Sequence, residues 1–122
     1  MAEGTLELVL NKVAYNQLFE KMEVFIEDNV ERLELDGKSN DVEQPQAATL
    51  NEMEIIRTAN IKQKEDELFF DVVVSCDIEV EETVRRNREV DSVRQWFSAS
   101  CSAIFDGELK NLQVKHIAVY HR

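Results

Sequence analysis

The stretch from Glu67 to Glu82, ELFFDVVVSCDIEVEE, decides the fold. Phe70, Val72, Val74, Cys76, Ile78 and Val80 fall in one phase of a two-residue alternation. Phe69, Asp71, Val73, Ser75, Asp77, Glu79 and Glu81 fall in the other. Side chains of a strand point alternately to its two faces, so one face is buried and the other mostly wet.

Downstream, Val93 to Phe105 repeats the pattern. Phe97, Ala99, Cys101, Ala103 and Phe105 form its apolar phase, and Trp96, Ser98, Ser100 and Ser102 the other. The charged segment Arg85–Asp91 reads as the connection between the two strands. Asp106-Gly107 is a strong hairpin turn. It leads to a last strand from about Leu109 to Tyr120. Leu112 and Val114 share a phase there, while Ile117 and Val119 take the opposite one. Either a bulge near Lys115-His116 reconciles them, or both faces are partly covered.

Upstream, Leu50 to Arg57 opens a β region in which Met53 and Ile55 share a phase, continued by Ala59 and Ile61. Lys62–Asp66 suits a hairpin turn. Asp36–Thr49 is the main linker, with Gly37, Ser39, Asn40, Asp41 and Pro45 as breakers. Before it lies a helix over about residues 12–35. Tyr15, Leu18, Phe19, Met22, Phe25, Ile26, Val30 and Leu33 recur at spacings of three and four and make one apolar stripe. Such a stripe is a core face far more often than a partner-helix seam. Glu20, Glu23, Glu27, Asp28 and Glu31 lie on the polar side. Asn11 is placed to cap the start, Leu10 and Tyr15 to staple it, and Gly37 to stop the helix. Thr5–Leu10, with Leu6, Leu8 and Leu10 in alternation, reads as a short edge strand or an extended lead-in.

The expected fold is α+β: a long N-terminal helix packed on a curled antiparallel sheet of about four strands, all in a single domain, with the sheet over about residues 50–121. The order resembles cystatin-like and NTF2-like sheets wrapped on a helix, a likeness of fold that carries no function.

Composition narrows the functions. The 122 residues include 25 acidic and 14 basic side chains, for a net charge of −11. That charge repels phosphate backbones and anionic lipid, leaving basic proteins or neutral ligands as partners, or simple solubility as its role. No nucleic-acid or membrane partner is expected. The N-terminus has no basic or apolar leader region, and no apolar run approaches a membrane span. Two cysteines do not make a disulfide framework, so the cytoplasm is the expected compartment.

No constellation completes a catalytic motif, and neither metal nor cofactor is expected. His116 and His121 lack the His-Glu-x-x-His spacing on a helix that lets two imidazoles meet one zinc. Cys76 and Cys101 share apolar phases of neighbouring strands, are expected close in space, and read as buried thiols. A nucleophilic cysteine would need a histidine partner and exposure. Asp71, Asp77, Glu79 and Glu81 line a solvated strand face that could otherwise attract a cation. Arg85, Arg86, Arg88 and Arg94 form the one basic cluster, which balances nearby carboxylates or docks an acidic segment. Trp96, in the serine-bearing phase, marks either a contact surface or a covered second core.

One resemblance spans roughly Asp66–Arg122. Arg94-Gln95-Trp96-Phe97, Ser100-Cys101, Asp106-Gly107-Glu108-Leu109-Lys110-Asn111-Leu112 and Ile117-Ala118-Val119-Tyr120 resemble the N-terminal region of bacterial ImmA/IrrE-family metallo-endopeptidases. These motifs are structural, and Glu108 adds one residue to the family's hairpin. The family's zinc helix is absent from this chain. The resemblance implies a non-catalytic accessory domain of a zinc peptidase of phage or mobile-element regulation, serving substrate recognition or control. Trp96, Ser98 and Ser100, with Arg85, Arg86 and Arg88, are the expected partner contacts. Two other readings stand beside it: a small-molecule domain with a pocket between helix and sheet, and a structural domain that dimerises by its edge strands.

Overall fold

The computed structural model describes residues 2–29, 47–84 and 87–121, without the side chains of 82–84 and 87–89. Its elements are helix α1 (Glu3–Val9), a π turn (Leu10–Ala14), helix α2 (Tyr15–Asp28), and strands β1 (Ala47–Lys64), β2 (Glu67–Val84), β3 (Asn87–Phe105) and β4 (Leu109–Val119). The strands form one antiparallel sheet in the order β1-β2-β3-β4. A helix on one face of a four-stranded meander is an α+β architecture.

The N-terminal segment is helical from Glu3, not extended. The alternation of Leu6, Leu8 and Leu10 misleads there. Leu8 is 72% exposed, whereas Leu6, Leu10, Ala14, Leu18, Met22 and Ile26 are buried. That core stripe has a spacing of four residues throughout. In an α-helix such a spacing drifts by about 40° per step. The π turn, with its wider i→i+5 winding, offsets the drift and keeps the stripe facing the sheet. Asn11 sits inside this turn rather than at a cap, and its Nδ2 donates to the Glu7 carbonyl at 2.9 Å. Tyr15 does not staple a helix start; it packs beside Phe19 with ring centroids 6.2 Å apart. At the C-terminal end, the Asn29 backbone N–H and Nδ2 both donate to the Phe25 carbonyl, at 3.1 and 2.8 Å. Val30, Leu33, the stop at Gly37 and the linker up to residue 46 lie outside the described residues.

β2 buries the expected phase, from Leu68 to Val80, against the helix, and β3 adds Phe97, Ala99, Cys101 and Ala103. Fully buried side chains such as Phe97, Leu18 and Ile26 each contribute about 1.5–3 kcal/mol. Both edge strands come close to the helix backbone, β1 along α1 and α2, and β4 beside the π turn and α2. The sheet therefore curves around the helix.

β1 departs from the expected single phase. Its register shifts between Leu50 and Glu52, between Ile55 and Arg57, and between Ala59 and Lys62. Each shift moves the inward phase, so Ala48 and Leu50, then Met53 and Ile55, then Thr58 face the core. Ala59 does not continue it and lies opposite Asp71 on the outer face, whereas Ile61, past the third shift, packs against the core. Three hydrogen bonds fasten this irregular edge to the helix. Thr58 N–H donates to Glu7 Oε1 at 2.9 Å, Thr58 Oγ1 donates to the Glu3 carbonyl at 2.9 Å, and the Tyr15 hydroxyl donates to the Met53 carbonyl at 2.5 Å.

The turns are tighter than their composition implies. Lys64 pairs with Glu67, so only Glu65 and Asp66 turn the first hairpin, and Lys62–Lys64 belong to β1. Val84 pairs with Asn87, so β3 already includes Arg88–Asp91. Strand ends that project beyond the core need no apolar residues, which is why this part of the strand reads as a loop. In β4 the extra residue at Lys115 lets Val114 and Ile117 both face inward, and a second shift lies near Asn111.

Candidate interaction surface

The outer face of the sheet, away from the helix, carries the exposed chemistry. Trp96 is half-buried there and stacks on Tyr120, centroids 6.2 Å apart at 21°. The Tyr120 backbone N–H donates to the Trp96 carbonyl at 2.9 Å, extending the ladder one step past β4. From β1, the Arg57 guanidinium lies 5.6 Å from the Tyr120 ring centroid, and its Nη2 donates to the Tyr120 hydroxyl. Between these groups in the register lie Val73 and Ser75, each only 3% exposed although they face away from the helix. Arg94 Nη1 donates to Ser75 Oγ at 3.2 Å. Trp96 thus lies beside a small buried cluster, opposite Ser75, and is itself only partly covered.

Around this centre the face is polar. Ser98 lies between Val73 and Ala118, and Ser100 between Asp71 and His116. Ser92 Oγ donates to Asp77 Oδ1 at 3.0 Å, and Asn60 Nδ2 to Asp71 Oδ2 at 2.7 Å. Lys115 Nζ sits 5.3 Å from the Phe69 ring centroid. Shallow cavities of about 110 Å³, bordered by Glu52, Ser75 and Arg94, and about 190 Å³, bordered by Thr49, Glu79 and Val90, open on the same face. Another of about 340 Å³ opens at the second β4 bulge, beside Ser102, Asn111 and Gln113.

The six expected contact residues are only partly brought together. Trp96, Ser98 and Ser100 share one row of β3. Arg88 is paired with Thr83, eight residues from Trp96 along β3, or about 27 Å at strand rise. Arg85 and Arg86 lie outside the described residues. Of the described arginines of that cluster, Arg94 is placed next to the tryptophan. Tyr120 and Arg57 were missed. The inward phase of Ile117 and Val119 sends Tyr120 outward, which was a usable signal, but Arg57 joins the site only through the β1 bulges.

The inner face is different. Its fully buried side chains are apolar apart from Thr58, which is bound to the helix, while Gln95 opposite Cys76 and Asp91 opposite Val80 are partly exposed polar members of the same phase. Cys76 and Cys101 are buried there, yet they are not neighbours. Cys76 pairs with Gln95 and Cys101 with Phe70, six ladder steps apart, or about 20 Å. Burial pushes both thiols up to about 12, with the Asp71 charge adding a smaller push at Cys101. His116 and His121 are exposed.

Comparisons with protein-family models, with curated proteins and with solved structures return no match. Among the described residues, no helix is long and apolar enough to cross a membrane.

Proposed function

We propose that this chain is a non-catalytic interaction domain that meets a protein partner through the outer face of its sheet. The observation that carries the reading is the Arg57–Tyr120–Trp96 assembly on the face opposite the helix. Tryptophan, tyrosine and arginine are the side chains that most often anchor protein interfaces: the two rings offer wide contact area at little entropic cost, and the guanidinium adds several hydrogen-bond donors and stacks on aromatic faces. The apolar inner side chains leave few polar groups for a ligand between helix and sheet, which makes the small-molecule reading second.

The resemblance over residues 66–122 supplies the class of partner: a bacterial zinc metallopeptidase of the ImmA/IrrE family, for which this domain serves recognition or control in the cytoplasm. Titration of the full chain with a purified peptidase of that family from the same genome tests it. A micromolar complex, weakened at least tenfold by Trp96→Ala, is expected. No binding, or binding indifferent to that substitution, contradicts the proposal.

A further inference from the structure

The outer face is electrically two-sided along the strands. Toward the β1–β2 hairpin it carries Arg57, Lys62 and Lys64 on β1, and Lys115 on β4. The carboxylates among them are Glu67 and Asp71, and Asp71 is hydrogen-bonded to Asn60. Toward the other end it carries Glu52, Glu54, Asp77 and Glu79, with Arg94 as the cation among them. The row of Val73 and the row of Ser75 divide the two halves.

From this register we infer that the outer face pairs with the outer face of a second copy, about a two-fold axis running across the strands between those two rows. The inference rests on the outer face being the interaction surface. Such an axis reverses strand direction and brings each cationic half over the anionic half of its mate. By register Arg57 then lies over Glu54 of the other copy, toward which its guanidinium turns from the Tyr120 hydroxyl, and Lys62 lies over the side of Glu79. The same operation sets large side chains over small ones. Trp96 falls over Ser98 of the other copy, and Tyr120 over Ala118. Both pairings follow from adjacent rows of one register, so a single axis satisfies charge and shape together. From Glu67 to Glu81 three strands, β1 to β3, give a face about 48 Å long and about 10 Å wide, to which β4 adds the residues near Trp96. That is roughly 500 Å² per copy, below the roughly 800 Å² per partner of a standard interface and in the range of weak, reversible association.

Sedimentation equilibrium of the full chain tests the inference, over concentrations up to about 100 µM. The wild type is expected to dimerise, more weakly as salt rises. Arg57→Glu and Glu54→Arg should each raise the dissociation constant at least tenfold. An equimolar mixture of the two variants should dimerise again, because each supplies the charge that the other lacks. Circular dichroism on each variant verifies the fold, and Lys62→Glu mixed with Glu79→Lys repeats the test at a second pair. A monomeric wild type, or variants that stay monomeric on mixing, overturns the inference. A monomer that still binds the peptidase through Trp96 overturns this inference alone and leaves the proposed function intact.

Discussion

Thr58 is a polar side chain on the inward phase of β1, 1% exposed, and both its hydroxyl and its N–H are bound by the first helical turns. A buried donor is tolerated only when paired, so the hydroxyl and the Glu3 carbonyl depend on each other. Thr58→Val should cost about 1–2 kcal/mol in urea unfolding, more than an exposed threonine would. Gly107 illustrates a backbone requirement. Its φ of 97° lies where side-chain-bearing residues are strained, although open space surrounds it. Gly107→Ala should therefore lose about 1–2 kcal/mol from strain alone. The two cysteines couple stability to alkaline pH. Their folded values of about 12 exceed the ordinary 9.0, so the unfolded chain loses its thiol protons first. Stability is thus full below about pH 9 and falls between 9 and 12, by about 1.4 kcal/mol per pH unit for each thiol. Thiol titration at neutral pH should label neither cysteine in the native chain and both in denaturant.

At the scale of elements, the helix and β1 form one mechanical unit. The π turn keeps a four-residue stripe aimed at the sheet, and the bulges of β1 present backbone groups that Glu7 and Tyr15 bind. An edge strand so occupied is a poor template for another chain, which weighs against dimerisation through β1. Ile26→Ala, deep in the stripe, should cost about 2–5 kcal/mol by chemical denaturation, whereas the exposed Val24→Ala should cost little. Legibility in the sequence followed regularity. β2 and the core of β3 keep one uninterrupted alternation, so their inward residues could be read directly. β4 announced its bulge, because Val114 and Ile117 cannot otherwise share a face. β1 hid its bulges, because Ala59 and Ile61 offered an unbroken alternation in which Ile61 does face the core but Ala59 does not. The first turns of the helix hid behind Leu8, whose two-residue spacing from Leu6 and Leu10 imitated a strand.

For the whole molecule, the described helix covers one sheet face, and among the described residues no second layer covers the other. The inner face accounts for stability, and the outer face is where recognition is proposed to lie. The phase of Trp96 put it on the outer face, as a contact surface or a second core, but did not reveal its company. Tyr120 and Arg57 come from opposite edge strands, and only the finished register joins them. Because Trp96 is the single tryptophan of the chain, its fluorescence reports on the outer face alone. Acrylamide quenching of that emission, read with and without a saturating partner, tests the central claim most directly. Trp96 should be quenched readily in the dilute free chain and become protected as a peptidase of the resembled family is added or as the chain concentration rises. A partner that binds at full occupancy while quenching stays at the free-chain level would contradict the account, since recognition would then be occurring elsewhere on the molecule.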